Sequence, residues 1–109
     1  MTDSSSFFEI SQLERQRVQR GKPYVEFLRV SAMSAGLYVL PAGGTDPQRP
    51  HHQDEMYYVV RGRARMRLGC EEQAVTDGSV IFVKAGVEHR FQGITEELVV
   101  LVCFAPAES

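Results

Sequence analysis

The sequence predicts an all-β domain, a sandwich or barrel of short strands, with one short helical segment at its N-terminal end. Three observations predict it. From residue 24 onward, stretches rich in Val, Ile, Leu, Tyr and Phe alternate with Gly, Pro and Asp turn residues. The turn signals recur roughly every 8–12 residues and give about seven strands. No long amphipathic helix separates them, so parallel strands joined by crossover helices are excluded. The 109 residues suit one domain. It divides into an N-terminal segment, 1–23, and a barrel, 24–106.

Residues 1–6 are polar and expected to fray. Residues 7–19 read as a short helix, with Ser11 as N-cap and Glu14 closing a capping box. Gly21-Lys22-Pro23 ends it. Strands are expected over 24–31, 36–40 and 54–60, with a loop from Pro41 to Pro50. Arg61-Gly62-Arg63 reads as a turn. In 64–68, Ala64, Met66 and Leu68 alternate with Arg65 and Arg67, which puts the arginines in water and the apolar set in the core. Gly69-Cys70-Glu71-Glu72 is turn-like, and Asp77-Gly78 is a turn before a strand over 79–83. Lys84-Ala85-Gly86 turns again, and 87–92 and 98–104 give the last two strands. The tail from Pro106 stops the sheet.

Composition narrows the function classes. The formal net charge of −2 and pI of about 5.9 argue against nucleic acid as a partner, since phosphate binding needs concentrated positive charge. No run of 18 apolar residues exists to span a membrane as a helix. The N-terminal residues lack the pattern of a secretory signal. The two cysteines, Cys70 and Cys103, have no spacing motif. The expectation is a cytoplasmic protein with reduced thiols.

The three histidines are His51, His52 and His89. His51 and Glu55 are four apart, and residues of like parity share one face of a strand. Both therefore project into a barrel interior, with His89 approaching from a facing strand. Two imidazoles and a carboxylate suit one divalent ion such as zinc, iron, nickel or manganese. Tyr57 shares the parity of Glu55 and is expected to line the same cavity. His52 has the opposite parity.

These residues resemble the two motifs of the cupin superfamily. His51, three residues, Glu55, six residues, Gly62 is similar to the latter part of the first motif. Gly78, five residues, Lys84-Ala85-Gly86, two residues, His89 is similar to most of the second. The resemblance covers about residues 34–105 and implies a double-stranded β-helix, the jelly-roll barrel, with metal ligands at His51, Glu55 and His89. Three positions depart from the family pattern. Arg49 stands where the first histidine of the first motif would be, and an arginine is always protonated and cannot ligate a metal. Lys84 replaces the usual proline, and Gly93 the final asparagine. The fourth ligand position is left to Gln48, His52, Gln53 or water. Gln48 heads these candidates. Arg49 is a candidate clamp for a substrate carboxylate. Gly62 and Gly86 occupy turn positions where positive φ is expected.

The resemblance implies a metal-dependent enzyme of the dioxygenase, isomerase or decarboxylase kind acting on a small organic compound. The alternative is a module that binds or senses a small ligand without catalysis. The strand over 54–60 is apolar on both faces, Met56, Tyr58 and Val60 against Tyr57 and Val59, so both faces need cover. A homodimer is the expected assembly, with strand 24–31 added to the neighbour's sheet.

Overall fold

The computed structural model describes residues 5–109, so the expectation of fraying at residues 1–4 lies outside the described residues. Among the described residues one helix, α1 (Ile10–Arg20), precedes six strands. They are β1 (Tyr24–Val30), β2 (Met33–Leu40), β3 (Asp54–Leu68), β4 (Glu71–Thr76), β5 (Val80–Val83) and β6 (His89–Ala105). The sheet order is β1-β2-β6-β3-β4, all pairs antiparallel, with β5 pairing to the first part of β3. The sheet folds over on itself as the double-stranded β-helix. Among the described residues no helix is long and apolar enough to cross a membrane.

Five local readings of the sequence are corrected. The helix begins at Ile10, its N-cap is Glu9, and no side chain caps it. Glu14 does not close a capping box with Ser11; it turns to Arg61 on the barrel. Arg61-Gly62-Arg63 is not a turn, because β3 runs unbroken through it. Residues 71–76 form a strand where only a turn was expected, and the last two expected strands are one. Six strands therefore replace about seven.

The merged strands have a physical cause. β3 and β6 pair along their whole lengths, but register shifts fall between Val59 and Arg61, Arg61 and Arg63, and Arg63 and Arg65. Extra residues on one strand bend it and sharpen its twist without ending it. Gly62 lies at the bend with φ 119°, and a Cβ there would meet the Glu97 carbonyl oxygen at 2.3 Å. Only glycine allows β6 to cross so closely.

The interior face carries Tyr57, Val59, Ala64, Met66, Phe91 and Leu98, all buried. The arginines 61, 63, 65 and 67 are exposed, the last two as the alternation predicts. A second cluster packs outside the sheet, where Leu13 of α1 covers Val25, Leu37, Val39 and Val99. The helix covers only part of that outer face. Met56 and Tyr58 on β3 stand directly opposite Phe82 and Val80 on β5, and all four are exposed.

Candidate metal centre

The two motif segments are clasped by two hydrogen bonds from backbone N–H groups. The Gly86 N–H donates to the His51 carbonyl at 2.8 Å, and the Ala85 N–H donates to Asp54 Oδ1 at 2.9 Å. Gly86 has φ 83°, as its turn position requires. The loop before β3 and the turn before β6 are thereby fixed to each other.

Glu55 and Tyr57 point inward from β3, opposite Phe104 and Val102 on β6. His89 enters from the start of β6 and His51 from the loop. His89 Nε2 is 3.1 Å from Glu55 Oε1, and His51 Nε2 is 4.0 Å from the same oxygen. One donor atom from each of His51, Glu55 and His89 lies within 4.8 Å of the others. Metal bonds of about 2.1 Å place neighbouring donors roughly 3–3.5 Å apart, so small side-chain rotations would suffice.

Glu55 itself supplies the test of fit. Its side chain is 1% exposed, and among the described residues neither carboxylate oxygen has a hydrogen bond of acceptable geometry. The short approach of His89 is an ion-pair distance without hydrogen-bond alignment. A buried carboxylate with no such partner is costly unless a cation satisfies it. The donor set, two imidazoles and a carboxylate, suits a divalent ion.

The hydrogen bonds around the triad aim its donors. His89 Nδ1 is 2.9 Å from the Val87 carbonyl, which directs Nε2 inward. Burial works to lower the His89 pKa, but the Glu55 carboxylate and the Val87 carbonyl more than reverse this and raise it. Tyr57 donates from its hydroxyl to Gln48 Oε1 at 2.9 Å and lies 3.1 Å from His89 Nε2. Burial and the neighbouring Glu55 charge push the Tyr57 phenol well up, so it stays protonated. Gln48 Oε1 is also 3.2 Å from His51 Nε2.

Asp46 was not anticipated, and it organises this side of the site. It is 3% exposed and accepts from Tyr38 hydroxyl at 2.7 Å, Gln48 Nε2 at 2.9 Å and the Phe91 N–H at 2.9 Å. Holding the Gln48 amide nitrogen turns its oxygen toward the triad. Nothing in a Thr45-Asp46-Pro47 loop separates such an aspartate from a solvated one. Glu108 in the tail was also missed; its Oε2 lies 3.3 Å from His51 Nδ1.

Above the triad is a cavity of about 210 Å³, walled by Tyr24, Tyr38, Tyr57, Val102, Phe104 and Glu108. Tyr24 lies over Gly36, where a Cβ would come within 2.1 Å of its ring, and its buried hydroxyl has no hydrogen-bond partner among the described residues.

A family model for the cupin domain matches residues 36–105. The chain belongs to the cupin family. This cupin is 51% identical over 102 residues to an uncharacterized protein of Streptomyces coelicolor, covering 94% of this chain and 97% of that one. It is similar in fold to a double-stranded β-helix protein from Klebsiella pneumoniae, with TM-score 0.77, 19% identity, and 94% and 91% of the two chains covered. A protein from Thermus thermophilus gives TM-score 0.75, 24% identity, and coverage of 93% and 97%.

Of the residues singled out in the sequence, the cupin fold brings His51, Glu55, His89, Gln48 and Tyr57 to one place. His52 is exposed, as its parity predicts. Gln53 is buried but donates to Ser109 Oγ at 2.9 Å, away from the triad. Arg49 is exposed and outside the cavity wall. The inward positions of its loop are taken by Asp46 and Gln48, which leaves the guanidinium in water.

Proposed function

We propose that this cupin holds one divalent ion between His51, Glu55 and His89, with the Gln48 side-chain oxygen as a fourth donor, and acts as a metal-dependent enzyme on a small organic compound. The observation that carries this reading is the buried Glu55 carboxylate, which has no aligned hydrogen bond among the described residues and is faced by two imidazoles. A bound ion would supply Lewis-acid or redox chemistry of the dioxygenase, isomerase or decarboxylase kind. The chain's own residues do the rest. Tyr24 and Tyr57 present hydroxyls to a ligand in the cavity, and Val102 and Phe104 exclude water. At about 210 Å³ the cavity lies below the roughly 300–1,000 Å³ usual for drug-sized ligands, so the compound is small. Arg49, next to Gln48 in the chain, meets only a ligand that extends out of the cavity.

The second reading is a module that binds such a ligand without turnover. It draws support from the phenols, all pushed up by burial and so unsuited to take a proton at neutral pH. Screening small organic compounds by thermal shift against metal-loaded and metal-stripped protein, then following each hit by mass spectrometry, separates the two. Metal-dependent conversion of a hit supports the enzyme. Binding with the compound recovered intact favours the module, hits indifferent to metal contradict the metal-dependent enzyme, and no hit in either form contradicts both.

The same reading makes the protein a homodimer in the cytoplasm. Support comes from the uncovered apolar residues Met56, Tyr58, Val80 and Phe82, from β1 at an open sheet edge, and from two free cysteines.

A further inference from the structure

Residues 106–109 do more than end the sheet. The Glu108 N–H donates to Ser34 Oγ at 2.9 Å, and Arg29 donates through Nη2 to the Glu108 carbonyl at 2.7 Å. Ser34 is fully buried on β2. Gln53 holds the next residue through Ser109 Oγ. The tail is thus latched across the cavity mouth by the Glu108 backbone and the Ser109 hydroxyl, and the Glu108 side chain is left free to point inward. Its carboxylate reaches His51 Nδ1 at 3.3 Å.

The other nitrogen of that ring, Nε2, faces Glu55 and Gln48. The arrangement mirrors His89, whose Nδ1 meets the Val87 carbonyl while Nε2 faces Glu55. Both rings therefore have an oxygen near Nδ1, aligned as a hydrogen bond at His89 and at ion-pair distance at His51, and the shared carboxylate ahead of Nε2. His51 needs such an anchor more than His89. It rises from a loop, and its side chain is 21% exposed against 1% for His89. Its only ring neighbours among the described residues are His89 and Phe104, at centroid distances of 5.6 and 5.0 Å.

We propose that Glu108 is a positioning residue of the metal centre: its carboxylate accepts the Nδ1 hydrogen of His51 and so presents Nε2 to the ion. The inference rests on the metal reading above. An acceptor behind a ligating imidazole fixes the tautomer and ring orientation and raises ligand basicity. A segment remote in sequence from both motifs thereby completes the site.

The test uses the full chain and zinc alone, titrated against a competing chelator. The variants are Glu108→Ala, Glu108→Gln and His51→Ala. Glu108→Ala leaves the latch intact, because Ser34 and Arg29 hold backbone atoms. The expected result is one zinc per wild-type chain, loss of binding in His51→Ala, and affinity about 10–100-fold weaker in Glu108→Ala. Glu108→Gln recovers much of that loss, since its amide oxygen still accepts the hydrogen. In the zinc-loaded wild type the His51 Nδ1 proton gives a slowly exchanging NMR signal, which Glu108→Ala loses. Wild-type affinity within two-fold in Glu108→Ala overturns the positioning role and leaves the metal reading standing. Equal losses in the Ala and Gln variants mark Glu108 as a ligand instead and also overturn it. No zinc in the wild type removes both readings together.

Discussion

Glu55 and His89 lie at opposite ends of one antiparallel ribbon, yet their side chains meet at 3.1 Å. By register His89 pairs with Leu68, thirteen positions along β3 from Glu55. Extended, that stretch would span about 40 Å at roughly 3.3 Å per residue. The bulges around Gly62 fold the ribbon back and bring its ends together. The site is therefore a product of the bend, and the fold and the chemistry cannot be separated.

The pair gives the metal-free and metal-loaded proteins opposite responses to pH. In the metal-free protein the His89 pKa is raised, against the pull of burial, by Glu55 and Val87. A raised folded-state value stabilises below the unfolded value of about 6.5 and loses that contribution as pH rises through the folded one. Metal binding instead needs neutral imidazoles and weakens as pH falls. The melting temperature of stripped protein should fall between pH 6 and 8, while that of protein in excess zinc should rise. Parallel melts in the two forms check this, and curves of the same slope would count against the pairing.

The triad was legible because parity and motif spacing are local properties of a sequence. His51, Glu55 and His89 follow from them, and so does the outward face of His52. The bend was half legible. Arg61-Gly62-Arg63 and the gap before Leu98 carry the residues of a turn, but a bulge uses the same residues, and only pairing with β6 decides between them. Asp46 and Glu108 were illegible. Each acts through partners distant in sequence, and a buried acceptor has the same residue type as a solvated charge. Glu14 misled for the same reason: its capping-box spacing is real, but the Arg61 guanidinium is the stronger partner.

That ion pair ties α1 to the barrel. Arg61 reaches Glu14 with both terminal nitrogens, Nη1 at 3.0 Å. The Arg61 hydrogen bond holds the Glu14 carboxyl below its ordinary range. A lowered folded-state value stabilises above the unfolded one, about 4.3, and the contribution is lost as pH falls through the folded value. Because both side chains are partly solvated, the pair contributes only about 0.5–1 kcal/mol. Arg61→Ala should lose that much in urea unfolding at pH 7 and nothing near pH 2. A loss that persists in acid would point to packing instead.

The uncovered outer face predicts assembly. Replacing Phe82 by Glu puts a charge beside Met56, its cross-strand partner. Light scattering at micromolar concentration should give about twice the 12.3 kDa chain mass for the wild type and one chain mass for Phe82→Glu. A monomeric wild type would remove the dimer from the account.

The central claim is that His51, Glu55 and His89 hold a metal, and the most direct measurement is metal content by plasma mass spectrometry of protein purified without a histidine tag. His89→Ala and His52→Ala are compared with wild type, each with a circular dichroism melt. The account predicts about one equivalent of a divalent ion in wild type and in His52→Ala, and nearly none in His89→Ala, whose fold survives. A full equivalent in His89→Ala, with loss in His52→Ala, would contradict it.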